Sequence, residues 1–503
     1  MALPLVAVFL LTVFVVLPLS NLLLISISKP LIFFNGHAGG DGRRRRLPPS
    51  PRGLPLLGQL HLLGSLPHGA LRSLSLAHGP VMLLRLGRVP TVVVSSAAGA
   101  EEVMRARDLA FASRPRSAMA DRLLYDSRDV AFAPYGEYWR QARRVCALHL
   151  LSGRRVRSFR RVREQEGRRA GRPRRGRSRR RRAARPERAP HRVRQRRRVL
   201  SRVRRRERPR HVRRRPGREQ VRKVLTDFQT LLGTQPVGEL LPWLGWVDVV
   251  RRLQGKVRRT FEALDGLLDK MIDDYRRQPS NGDRRDFVDV LLDVRNHEKE
   301  HARTPPPLTT VMEWAMAELV THPRAGRKLQ DEIRAAIGST TGSVVGEGHV
   351  AQLDYLKAVV KKTLRLHAPL ALVVPREPPA DAEILGYHIP VGTRVVINAW
   401  AIGRDTTTWE DAEEFVPERF SGSAVDFRGQ HFELVPFGAG RRGCPGLGLA
   451  EASIEMALAS LMYHFDWESA GGTGPSALDM TEMNGISVHI KSGLQLVAKP
   501  WIT

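Results

Sequence analysis

The stretch Phe437-Gly438-Ala439-Gly440-Arg441-Arg442-Gly443-Cys444-Pro445-Gly446 limits what this chain can become more than any other part of it. Its glycines let backbone turn tightly and approach a flat ligand closely. Cys444 is followed by Pro445, a residue suited to the first turn of a helix. The apolar spacing predicts that helix over residues 447–462, with Leu447, Ala450, Ile454, Ala457, Leu458 and Leu461 on one face. A cysteine at a helix N-terminus is expected to be held as thiolate by the helix dipole and by amides, which makes it a tuned metal ligand. The same glycines satisfy a dinucleotide-binding fingerprint literally. That fingerprint needs a strand before it and a βαβ unit around it. Here Pro436 interrupts the strand, and Asp466, the nearest suitable acid, has little chain behind it. The other cysteine, Cys146, reads as a small buried hydrophobe. Two cysteines exclude a disulfide framework and suit a reducing compartment.

A net charge of +33 over 503 residues suggests a nucleic-acid binder, but its distribution argues otherwise. From Arg154 to Arg222 there are 34 arginines against 5 glutamates, a net of +29, which leaves +4 for the rest of the chain. Residues 167–220 contain no Phe, Tyr or Trp and few aliphatic side chains. Such a segment cannot bury a face and is expected to be disordered. Single-strand nucleic-acid grooves need aromatic platforms between their charges, and this segment has none, so no nucleic-acid partner is expected. GC-rich coding DNA read in a shifted frame would yield the observed mixture of Arg, Pro, Ala and Gly.

Residues 2–28 carry no charge. As a helix they would span about 40 Å, enough to cross a bilayer. Lys29 and then Arg43 to Arg46 follow, which orients the flank towards the cytoplasm. We therefore expect a transmembrane signal anchor over 1–28, a basic and Pro-rich hinge over 29–58, and a globular domain over 59–503. Within that domain, residues 81–86 and 91–95 read as strands of a hairpin turning at Gly87 to Pro90, and residues 391–399 as another strand. Helical periodicity runs over 97–107, 138–151, 257–294, 311–319, 327–337 and 355–366. The expected fold is mostly α with a smaller β region.

With these motifs in place, the chain resembles the cytochrome P-450 superfamily of haem-thiolate monooxygenases, most like a plant microsomal member. The family's F-G-x-G-x-R-x-C-x-G motif is present as Phe437, Gly438, Gly440, Arg442, Cys444 and Gly446. The resemblance makes Cys444 the axial thiolate on the iron of haem b (iron protoporphyrin IX), pushing electron density to favour O–O cleavage. It makes Arg442, Arg376 and the pair Trp139 and Arg143 contacts to the haem propionates. Pro417-Glu418-Arg419-Phe420 matches the P-E-R-F motif, and Arg419 would join a structural triad with Arg365. Implied partners are dioxygen, a small apolar substrate, a membrane, and NADPH–cytochrome P-450 reductase, which relays electrons from NADPH. Arg441 is a candidate contact for that reductase. The implied location is the endoplasmic reticulum membrane, single-pass, with the catalytic domain cytosolic.

Two departures accompany the matches. Lys362 stands where the triad's glutamate is expected, so three cations meet at a site built for a carboxylate between two guanidiniums. Losing one partner of a buried charge network costs roughly 3–5 kcal/mol. The oxygen-activation helix lacks the family's acid–alcohol pair. Prolines 305–307 occupy part of its place, and Thr309 and Thr310 are the candidates for the alcohol. These departures and the arginine segment make the second reading a catalytically impaired or pseudogene-derived relative that binds haem without turnover.

Overall fold

The computed structural model describes residues 45–170, 218–277, 308–338, 344–470 and 478–501. Alternating Val and Leu side chains build the hairpin. β1 (Val81–Leu86) and β2 (Val89–Val94) pair antiparallel, Val81 against Val94 and Leu86 against Val89. Its turn is Gly87-Arg88, with Gly87 at φ +61°, a conformation that glycine adopts without a Cβ penalty. The turn is shorter than expected because Val89 and Pro90 already pair with Leu86 and Arg85. Pro90 is tolerated because pairing with the next strand starts only at Thr91.

Further along are β3 (Leu372–Arg376), β4 (Ala382–Ile384), β5 (Tyr387–Ile389) and β6 (Arg394–Asn398). β6 lies parallel to β2 and antiparallel to β3, so the main sheet runs β1-β2-β6-β3, with an irregularity between Val373 and Arg376. A parallel pair needs a crossover. Here the crossover takes in most of the described helices together with β3, β4 and β5. The strand expected over 391–399 is trimmed at both ends: Gly392 turns at φ +71°, and Asn398 caps a short helix, Ala399–Ile402, by accepting from the Ala401 N–H.

Four helices form the larger core: Leu308–Thr321, Pro323–Ile337, Asp354–Leu366 and Leu447–His464. Ala315, Leu319, Leu329, Ile333, Leu356, Val359, Ile454 and Leu458 meet inside it. The helix behind Cys444 is two residues longer than predicted. It is not a one-face amphipath either, because Met456, Leu458, Ala459, Ser460, Met462 and Tyr463 are all buried. A second cluster joins Ala118–Leu123, Arg218–Leu232 and Leu253–Arg277 through Met119, Phe228, Leu231, Val257 and Leu264.

The edges of the arginine-rich segment correct the expectation of disorder over 167–220. Gly167 to Ala170 end the Arg160–Ala170 helix, and the Arg218–Leu232 helix starts ahead of Val224. At Gly167 a Cβ would lie 2.6 Å from Ser460 Oγ, so glycine lets the two helices approach. Residues 171–217 and the prolines 305–307 lie outside the described residues. So does the anchor expected over 1–28; among the described residues no helix is long and apolar enough to cross a membrane.

Candidate active site

The loop that carries Cys444 is shaped by its own hydrogen bonds. Gly438 N–H donates to Val435 C=O (3.0 Å), Gly443 N–H to Gly440 C=O (3.0 Å) and Cys444 N–H to Phe437 C=O (2.9 Å). Gly438 and Gly440 take φ of +63° and +66°. At Gly440 a Cβ would collide with the Met104 carbonyl oxygen, so both conformation and space demand glycine there.

The Cys444 side chain is accessible to solvent, yet it sits in a recess. Burial pushes its thiol pKa up; the Gly446 N–H and the nearby Arg143 push it down less. This corrects the expectation that dipole and amides alone would hold a thiolate. Desolvation wins, and a cation at the sulfur is needed to displace the proton.

Four guanidiniums converge on the same region. Arg442 is buried, donates to Ala112 C=O (2.6 Å) and Ala133 C=O (2.7 Å), and stacks 4.1 Å from the Trp139 ring. Trp139 is buried in turn and donates from its indole to Val130 C=O (2.9 Å). Arg376 donates to Ala439 C=O (3.0 Å) and to Asp108 (3.2 Å). Arg114, which the sequence reading did not single out, donates to Val374 C=O and to Pro375 C=O (2.8 Å). Arg143 is half-buried, with its charge felt at both Cys444 and Cys146. Burial, then Arg376 and Arg143, lower the Arg442 pKa to about 10; burial, then Arg376 and Arg442, lower that of Arg114. Asp108 and Asp129 are the acids whose charge reaches Arg442. Arg442 Nη1 and Arg376 Nε are buried without a hydrogen-bond partner among the described residues. Excess buried positive charge and orphaned donors beside an accessible thiol are what an iron porphyrin with two carboxylates would satisfy. The residues therefore fit haem. When bound, such a group supplies dioxygen and one-electron chemistry; Cys444 would hold its iron, and Arg442, Arg376 and Arg143 its carboxylates.

Behind this loop the structure brings Lys362, Arg365 and Arg419 together. Arg365 is fully buried and donates to Gly403 C=O and Ala412 C=O (2.8 Å). Arg419 donates to Glu410 C=O. Lys362 is fully buried and its Nζ has no hydrogen-bond partner among the described residues. Burial, then Arg365 and Arg419, drive its pKa down to about 6. The charges of Glu318 and Glu414 reach Lys362 and partly offset this, and Glu318 is the one inside the core. It is buried, accepts from His367 Nε2 (2.6 Å) and contacts His322 (3.1 Å). Burial opposes its ionisation, but the two imidazoles hold its pKa at about 2. Only long-range juxtaposition brings Glu318 and His367 together, so periodicity carried no signal for them.

Thr309 is exposed at the start of its helix. Thr310 is fully buried, with its hydroxyl 3.3 Å from His489 Nδ1, and that nitrogen is 3.2 Å from Glu313. An acid thus does stand near Thr310, but it follows Thr310 in the chain and reaches it through a histidine. Arg441 is exposed; its backbone N–H donates to Asp108 (3.0 Å).

A cavity of about 180 Å³ lies beside the arginine cluster, walled by Phe132, Leu232, Leu370, Leu372, Ile486 and Val488 among others, with Val374 and Pro375 continuing the wall towards Arg376.

A helical fold with a small mixed sheet, carrying a lone thiol on a glycine-turned loop amid propionate-type arginines, defines a haem-thiolate protein. The sequence profile of the Cytochrome P450 family matches residues 48–181 and 307–496. The chain is 44% identical over 478 residues to cytochrome P450 71A1 of Persea americana, covering 88% of this chain and 91% of the relative. It is 39% identical over 495 residues to (+)-menthofuran synthase of Mentha piperita, covering 93% and 96%. A zebrafish cytochrome P450 solved with progesterone shares the fold at TM-score 0.60 and 21% identity, covering 86% of this chain and 99% of that one. The chain belongs to the cytochrome P450 family and is a monooxygenase of the plant type. The profile match breaks between residues 181 and 307, a stretch that takes in most of the arginine-rich segment and Pro305 and Pro306.

Proposed function

We propose that this monooxygenase inserts one oxygen atom of dioxygen into a small apolar substrate on haem b held by Cys444, with electrons passed from NADPH through a reductase. The observation that carries this reading is the set of converging arginines, rich in unmatched positive charge, around the recess of the Cys444 thiol. The mainly apolar cavity beside it supports an apolar substrate. We further propose that the domain sits on the cytosolic face of the endoplasmic reticulum membrane, anchored by residues 1–28. Exposed Trp246 (61%), Val249 (64%) and Val250 (71%), followed by Arg251 and Arg252, support a membrane-facing patch. Tryptophan and flanking basic residues are favoured at bilayer interfaces. Arg441, half exposed beside Asp108 at 3.4 Å, supports docking of an acidic reductase surface near Cys444.

The test is a carbon monoxide difference spectrum of the reduced, membrane-expressed chain. A strongly red-shifted Soret band that Cys444→Ser abolishes is the expected result. A band at the position of a non-thiolate ligand, or no band, would overturn the reading.

A further inference from the structure

The cavity wall is apolar except at two side chains, His68 and Asn484. His68 lies in the first turn of the helix Pro67–His78 and is 1% exposed. Its Nε2 is 2.6 Å from Glu482 Oε2. The other oxygen of Glu482 accepts from the Trp400 indole at 3.1 Å, and the Trp400 and His68 rings lie 5.0 Å apart. Glu482 belongs to the strand Glu482–Met483, and the loop behind it brings Asn484 and Ile486 to the cavity. Burial pushes the Glu482 carboxyl up, but its hydrogen bonds from His68 and Trp400 help bring it down further, so it is an acceptor at neutral pH.

An acceptor on Nε2 decides which ring nitrogen carries the proton. With Nε2 protonated, Nδ1 of a neutral imidazole is an acceptor. Nδ1 has no hydrogen-bond partner among the described residues, and it is not among the buried orphaned atoms. A ring held this firmly, with its second nitrogen unspent and an amide across the same wall, provides more polarity than an all-hydrocarbon ligand would use. Pockets of this type use a few placed polar groups to fix orientation.

We propose that His68, oriented by Glu482, and Asn484 form a polar anchor that selects a hydroxyl-bearing apolar molecule, a small cyclic alcohol or phenol, over its hydrocarbon and ketone counterparts. The hydroxyl donates to His68 Nδ1 and accepts from the Asn484 amide. The inference rests on the monooxygenase reading only in naming this ligand a substrate; the anchor itself is a property of the wall.

The experiment uses the full chain in detergent or nanodiscs and a matched series: tert-butylcyclohexane, 4-tert-butylcyclohexanol and 4-tert-butylcyclohexanone. Binding is followed by tryptophan fluorescence, which needs no haem and has Trp400 beside His68 as one reporter, while haem is quantified separately by its absorbance. The alcohol is expected to bind about 5- to 10-fold tighter than either counterpart, the worth of one well-made buried hydrogen bond. His68→Phe and Asn484→Leu should each erase most of that preference while leaving hydrocarbon affinity within about twofold. Equal affinity for all three ligands in the unaltered chain would overturn the anchor, whether or not His68→Phe folds. A chain without thiolate-bound haem that keeps the alcohol preference would support the anchor and defeat the monooxygenase reading. A haem-loaded chain without the preference would do the reverse.

Discussion

Lys362 is the residue whose identity conflicts most with its surroundings. Held at about pH 6 against its ordinary 10.5, it is a base that the unfolded chain protonates more readily. Between those limits the unfolded state binds the extra proton, so stability rises with pH from about 6 towards 10.5, and below about 6 the penalty is present in full. At neutral pH the cost amounts to a few kcal/mol, order of magnitude. Lys362→Met should therefore raise the thermal midpoint by several degrees at pH 7 and flatten its rise with pH. Lys362→Glu should do more, because a carboxylate pairs with both Arg365 and Arg419; an unchanged midpoint in both variants would show that the site has relaxed around the amine. The clash was legible in the sequence, since an E-x-x-R pattern reads Lys362-Thr363-Leu364-Arg365 here. Its depth was not: nothing in a linear pattern says that Lys362 is fully buried with no partner for its amine among the described residues.

At the scale of elements, two contacts decide how the site is held. Glu318 ties the Leu308–Thr321 helix to His367 at the end of the Asp354–Leu366 helix, and His367 stacks on Trp314 at 4.0 Å. Its folded pKa of about 2 lies below its ordinary 4.5. The stabilisation is therefore complete above about pH 4.5 and is lost as pH falls towards 2. Glu318→Gln should lower stability at pH 7 and remove that part of the acid transition in circular dichroism. The second contact is Gly167 against Ser460, where the Arg160–Ala170 helix meets the one behind Cys444. Gly167→Val should cost about 1–3 kcal/mol through overpacking, measured as a shifted denaturation midpoint with Cys444 untouched. The helices on both sides of the Glu318 contact, and the one behind Cys444, were visible as apolar periodicity; the Arg160–Ala170 helix was not, and its end fell in the segment expected to be disordered. Helix ends were less so: the segment around Cys146 continues as a π-turn (Cys146–Leu150), and pattern does not distinguish that from an α-turn.

At the scale of the whole molecule, the proposed membrane face rests on where the exposed apolar side chains lie. The apolar patch at Trp246, Val249 and Val250 lies on the chain segment that packs against the hairpin turn through Arg88 and Leu240. That turn in turn bonds Leu57, at the end of the hinge. The patch and the end of the hinge are thus neighbours. In nanodiscs with lipids brominated near the headgroup, Trp246 fluorescence should be quenched, and Trp246→Phe should remove that quenched component; a fully accessible Trp246 would place the patch in water.

Chemistry written in contiguous residues was determined by sequence alone. The Cys444 loop, its glycines, the strands of the hairpin and the presence of the main helices follow from spacing, because each depends on neighbours a few positions away. Whatever depends on desolvation waited for the tertiary structure. Burial reverses the expected direction of the Cys444 pKa. It strips Lys362 of water, leaves Arg442 and Arg376 with unmatched donors, and sets His68 against Glu482 across more than 400 positions of chain. A charge's environment is a sum over everything within a few ångströms, and only folding decides what that is.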